Sequence, residues 1–308
     1  ALKRPHSRFP LNYPAADGSI LLPHLADLKR LGSLFRMRAI ALLTDGRSEA
    51  ALADLLMGYD LAQSMRTEPF LISLLVEVGM LRGQHQIVWE GLRERRWTAD
   101  QLEQISSRIA RIDLLAPLDR ALTCERVIYG ALFDQRHLRM LSNFTGLEQD
   151  SLYRWAPFGW YRRNQIEFCR DFDEMLEVLR KGKTPADYPD TQTRRARALR
   201  EPSSDNFFLR HSDENYRKIW INILRAEVLC DLVQTACALE RFWQEHGVYP
   251  EGLDELVPDY LPKSLPDLAA NQPFRYRREG DRFVLYSVGS DGRDDQGTPA
   301  KGDWVWRY

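Results

Sequence analysis

The sequence predicts an α+β protein, mainly helical, in which an N-terminal helical bundle precedes a long helix carrying a small three-stranded antiparallel sheet. Three observations predict it. From about Leu21 to Leu179 apolar residues recur at the three-to-four spacing that lines one face of a helix. From Ser212 or Asp213 to about His246 the chain is apolar on more than one side and then meets Gly247. Beyond Gly247 the apolar period drops to two, with turn residues between the runs.

The first helix follows an extended, proline-marked start that opens at Ala1 without Met. A processed or truncated chain is expected, with a signal or anchor segment ahead of Ala1. Leu25, Leu28, Leu31, Phe35 and Leu42 line that helix, Asp45-Gly46 breaks it, and Ala51, Leu55 and Tyr59 continue in a second. The pair is faintly like one unit of a tetratricopeptide array, but no second copy stands in register, so a bundle is expected. Thr67-Glu68-Pro69 marks a third start with Pro at the first helical position. Thr98 with Gln101 is a capping box, which places Leu102, Ile105 and Ile109 inward. A helix from about Pro117 does the same with Leu118, Leu122 and Ile128.

Residues 181–212 differ, with few apolar side chains and a cationic run from Arg194 to Arg200. They read as a linker or surface excursion between a helical domain, 1–180, and an α+β domain, 213–308. In the latter, Ile219, Trp220, Ile223, Leu232, Leu239 and Trp243 make the long helix a buried spine. Phe274, Tyr276 and Arg278 then alternate with charged neighbours, Gly280-Asp281 forms a two-residue turn, and Phe283, Leu285 and Ser287 return. Asp303-Trp304-Val305-Trp306 makes the third strand.

Composition narrows the function classes. The apolar fraction of 44% and charged fraction of 28% exclude wholesale disorder. Forty-three Lys+Arg against 44 Asp+Glu exclude a globally basic nucleic-acid binder. The run from Ile72 to Leu81 carries Glu77 and falls short of the ~18 apolar residues of a membrane span. Four cysteines do not make a disulfide scaffold in a chain this long.

Gly247, Tyr249, Pro250, Leu253 and Leu256, followed by Tyr286, Ser287, Gly289, Asp291, Gly292 and Asp303, carry a resemblance. This C-terminal quarter resembles the globular head of type II secretion major pseudopilins. The whole chain is similar to uncharacterised bacterial envelope proteins that pair such a head with an N-terminal helical domain. A pseudopilin begins with a leader and a hydrophobic helix that polymerises. Here the corresponding helix lies inside the chain and carries Glu227, Asp231 and Glu240, so pilus assembly is not implied.

The loop Asp291-Gly292-Arg293-Asp294-Asp295, with Asp303 beyond it, is the sharpest chemical signal. Calcium takes about six to eight oxygens on a bendable loop, and Gly289, Gly292 and Gly297 supply bends. Pseudopilin heads bind calcium in the matching loop. The resemblance therefore implies a calcium site with Asp291 and Asp303 at matching positions, and Asp294 or Asp295 aligned only loosely. It is not an EF-hand, because Gly302 stands where the bidentate Glu belongs. The plainer alternative has these aspartates capping turns through the backbone.

An aromatic-basic cluster, with Tyr153, Trp155, Trp160 and Arg162 at its centre, is a candidate for binding glycan or peptide. The six histidines are scattered, there is neither H-E-x-x-H nor C-x-x-C, and G-x-S-x-G is absent. Gly182-Lys183-Thr184 is not a P-loop, since Glu177 stands where the first Gly belongs. The expected function is a non-catalytic, extracytoplasmic structural or interaction protein of the bacterial envelope, secretion-related by resemblance. Its expected partners are envelope proteins, not nucleic acid, and it would meet a membrane only through a segment outside this chain. A ligand-binding module built on the aromatic cluster is the alternative, and an enzyme of unrecognised class the second.

Overall fold

The computed structural model describes residues 9–11, 21–132, 158–182 and 207–307. It is mainly helical with a small three-stranded antiparallel sheet near the C-terminus. Helices α1 (Pro23–Thr44) and α2 (Ser48–Gln63) form the predicted hairpin. Gly46 ends α1 at φ +73°, and the N–H groups of Gly46 and Arg47 reach back to the carbonyls of Leu43 and Leu42. This Schellman closure satisfies carbonyls that the helix end leaves open. Ala51, Leu55 and Tyr59 are buried as expected, whereas Leu31 is exposed.

Helix α3 (Leu71–Arg93) starts later than the Pro69 reading places it. Phe70 is extended and buried, and Glu68 is held by His24 Nε2 at 2.7 Å and the Ser73 hydroxyl at 2.5 Å. These contacts hold the chain extended through the proline, so the first turn forms beyond it. Helix α4 (Ala99–Ile109) carries the predicted capping box, and Leu102, Ile105 and Ile109 are fully buried. Asp113 Oδ1 accepts the N–H groups of Leu115 and Ala116, which starts α5 (Leu115–Leu132) two residues before Pro117. Helix α6 (Phe158–Arg180) lies antiparallel to α5, joined by Arg126–Asp173 and Arg180–Asp119 ion pairs.

Helix α7 (Phe207–His246) is about 60 Å long at 1.5 Å per residue. It begins before Ser212 and Asp213, which lie within it and do not cap it. The segment Phe207-Phe208-Leu209-Arg210 has no helix breaker, so polar residues alone did not mark the boundary. The helix packs against α3, α4, α5 and α6 and also against the sheet. Trp220, Ile223, Val228, Leu232, Ala236 and Leu239 belong to a single apolar core running from Leu25 to Trp306.

Gly247, at φ +72°, ends α7. A 3-10 turn (Leu253–Leu256) follows, then a small ladder of β1 (Pro266–Asp267) with β2 (Gln272–Pro273) that alternation did not announce. Strands β3 (Arg275–Glu279) and β4 (Arg282–Ser287) meet through Gly280-Asp281, with Glu279 opposite Arg282. Strand β5 (Trp304–Trp306) pairs antiparallel with β4, giving the order β3-β4-β5. Phe283 and Leu285 join the main core, yet Val284 and Tyr286 are buried too. A Cβ on Gly297 would sit 3.0 Å from Val284 and 3.3 Å from Tyr286, so the Gly/Asp loop lies across the second face of β4.

Arg95 clamps the helical layer to this sheet. It occupies φ +50° in a second Schellman closure, at the end of α3. Its guanidinium lies 3.5 Å from the centre of the Trp243 ring and 3.8 Å from Glu240, and it donates to the carbonyl of Asp281 at 3.1 Å. The Trp89 indole N–H also reaches the carbonyl of Arg307 at 2.9 Å.

Candidate functional site

The Asp loop builds itself from its own carboxylates. Asp303 is buried and receives backbone N–H groups from Gly297 at 2.8 Å, Thr298 at 3.2 Å and Asp295 at 3.4 Å. Asp294 accepts the Tyr286 hydroxyl and the N–H of Gln296, both at 2.9 Å, and faces Arg275 at 3.4 Å. The Gln296 N–H and the Tyr286 hydroxyl hold the Asp294 carboxyl below its ordinary pKa. Asp291 accepts the N–H of Arg293 at 3.1 Å, closing a turn of its own. Asp295 enters this network through its backbone N–H.

The four aspartates therefore share one loop but are directed to different donors. Among the described residues, no group of three or more His, Cys, Asp or Glu side chains is placed to hold a metal ion. A further carboxylate, unmarked in the sequence, does the same work below the loop. Asp267 is buried and accepts Ser287 Oγ at 2.9 Å, the N–H of Ala269 at 3.0 Å and that of Val288 at 3.3 Å.

Of the aromatic-basic cluster, Tyr153 and Trp155 lie outside the described residues. Trp160 is half-buried against the core and meets Tyr161 edge-on at 5.1 Å. Arg162 is exposed, lies 5.0 Å from the Phe158 ring centre and donates to Gln165 at 2.7 Å. Trp160 thus packs on the core, while Arg162 is engaged within its own helix.

Sequence reasoning missed a seam of acids between α3 and α7. Glu77 is buried, both its carboxylate oxygens lack a hydrogen-bond partner, and burial pushes its pKa up to about 8. Glu227 and Asp113 raise it further, while Arg66 opposes them. Glu227 accepts the N–H of Leu114 at 2.9 Å, yet burial lifts it to about 7. Burial lifts Asp231 and Glu125 to about 7 as well. His85 sits fully buried 3.9 Å from the Cys230 sulfur, and burial lowers it to about 3. Glu77 and His85 are buried while Glu227, Asp231 and Glu125 are half-buried, and burial moves every one of them toward its neutral form. Glu77 had a trace in the sequence as the single charge in an apolar run, and Glu227 and Asp231 as charges on the long apolar helix, but nothing along the chain set them near one another.

The surface offers one more structured place. Helices α1 and α3 run side by side in the same direction, with Gly32 against Met80 and Arg36 along Gly83. Between them opens a groove of about 330 Å³, floored by Ile72, Leu75, Val76 and Gly79 of α3. Lys29 and Arg36 stand on its α1 edge, two turns apart, and neither has an ion-pair partner among the described residues. Leu34 and Met37, each more than half exposed, continue the apolar surface over α1. Gln84 closes one end but turns its amide oxygen onto Gly58 of α2.

Compared with protein-family models, with curated proteins and with solved structures, the chain matches none. Among the described residues, no helix is long and apolar enough to cross a membrane.

Proposed function

We propose that this is a non-catalytic interaction protein of the bacterial cell envelope, working outside the cytoplasm and presenting its helical layer to a protein partner. The observation that carries the proposal is the division of labour across α7. That helix packs against the pseudopilin-like sheet, whose loop carboxylates bind the protein's own backbone. It packs also against the helical layer, in which α1 and α3 border the open groove. A sheet fused to such a layer through one core is a rigid platform. An apolar, cation-edged groove on a platform is a place for docking.

Fractionation of cells making the epitope-tagged full-length gene product tests the compartment. Recovery with periplasmic or membrane fractions, and protease access after the outer membrane is opened, are expected. Recovery with cytosolic markers, protected from protease, would overturn the envelope assignment.

A further inference from the structure

From the groove's shape and charge we infer its occupant: an amphipathic helix of a partner protein, with acidic residues along the flank that faces Lys29 and Arg36. This deepens the interaction reading above and rests on it. The floor from Ile72 to Gly83 is about 16 Å long at 1.5 Å per residue, enough for three turns of a helix. Ile72 is more than half exposed, and Leu75 and Val76 are half-buried, so a partner would complete their burial.

Gly79 lies at the middle of this floor. A Cβ built there meets nothing within 4 Å, which leaves room for a neighbouring side chain or backbone. A helix set into the groove would offer apolar residues at i, i+3 or i+4, and i+7, the spacing at which helix-in-groove partners anchor.

The edge supplies direction and selectivity. Lys29 and Arg36 are seven residues apart on α1, about 10.5 Å along its axis. Carboxylates seven residues apart on a helix running parallel to α1 would meet both. Arg30 already faces Asp27 at 3.6 Å and Arg38 faces Asp54 at 3.3 Å, so of the Lys and Arg residues on α1 the two without an ion pair among the described residues are those at the groove. A bilayer surface would also attract these cations, but a flat surface does not enter a channel between two helices. The concavity favours a helix.

The test is a displayed library of 18-residue amphipathic helices with a Leu stripe and each flank position free to be Glu, Gln or Lys. Selection uses the whole chain, with vesicles containing one-third anionic phospholipid as a separate probe. The expected result is enrichment of Glu pairs seven residues apart on one flank. Binding should fall at least tenfold in the Lys29→Glu/Arg36→Glu double variant, and that variant should select Lys in place of Glu. Gly79→Leu, whose side chain projects into open space and keeps the helix intact, should block binding equally.

Unchanged melting curves for both variants establish that they are folded. Binders indifferent to Gly79→Leu, or no preference for acid on either flank, would overturn the inference. So would vesicle binding that is lost in the double reversal and not displaced by the selected helix, since the surface would then serve a membrane. The envelope assignment is read separately by fractionation, so the inference can fail while that assignment stands.

Discussion

The loop over β4 and the α3–α7 seam both bury carboxylates, and they supply them with donors very differently. Asp303 and Asp267 are each surrounded by several donors, mostly backbone N–H groups, which stand in for water, although at Asp267 burial still outweighs them and raises the pKa. Glu77 is buried as deeply and receives no hydrogen bond at either oxygen. Burial alone does not decide what an acid does in a protein. The donors left pointing at it do. In the loop the carboxylates organise the chain, and in the seam the acid stays neutral and ties stability to pH.

The largest test of this contrast is the pH dependence of unfolding. Between its ordinary value of 4.5 and about 8, Glu77 holds its proton in the native state and loses it on unfolding. The native state then binds more protons, so stability is fully present below about pH 4.5 and declines as pH rises toward 8. The cost by pH 8.5 is on the order of 4 kcal/mol for Glu77. Glu227, Asp231 and Glu125 add to it in the same direction, over the narrower interval up to about 7. Glu77→Gln should melt close to the native protein at pH 5 and clearly above it at pH 8.5. Parallel pH profiles for the two would show that Glu77 ionises without penalty.

The loop's side of the comparison is sharpened by Asp303→Ala. The substitution leaves three loop N–H groups without their acceptor and is expected to cost about 3 kcal/mol, measured by urea unfolding at pH 7. A loss below about 1 kcal/mol would mean that water replaces the carboxylate easily.

Arg95 separates backbone strain from contact. Arg95→Ala and Arg95→Gly both remove the clamp onto Trp243, Glu240 and the Asp281 carbonyl, but only glycine relieves φ +50°. The alanine variant should therefore be less stable than the glycine variant by about 1 kcal/mol. Equal stabilities would place that loop in a different backbone conformation. A smaller gain is expected at Gly79→Ala, which should stabilise the protein by about 0.8 kcal/mol because Gly79 is helical and exposed with free space at its Cβ.

The smallest expected effect is that of calcium. The oxygens of Asp303 are already met by backbone donors, and Asp294 by Tyr286, Gln296 and Arg275. Melting midpoints in excess chelator and in millimolar calcium should coincide. A calcium-dependent rise abolished by Asp291→Ala would show that the loop rearranges around a metal.

The sequence by itself determined the elements whose signals are short-range. The Thr98–Gln101 box, the Asp45-Gly46 and Gly280-Asp281 breaks and the inward set of α4 depend on residues within one helical turn or one hairpin, and all are present. The length of α7 is legible too, except for its start, where no local breaker marks the boundary. The loop aspartates could be recognised as special, but not which donors they would meet, because those N–H groups are placed only when the loop folds over β4.

Tertiary structure decided the rest. Glu77 becomes a neutral acid only when α7 closes over α3, bringing Glu227 beside it from 150 residues away. Val284 and Tyr286 are buried only because the loop lies across them, so alternation along β4 did not reveal that both its faces are covered. The groove exists only where α1 and α3, separated in sequence by α2, come side by side with two cations on the edge. Helix periodicity and turn residues act between near neighbours and can be read along the chain. Burial, proton affinity and surface shape depend on which distant elements meet.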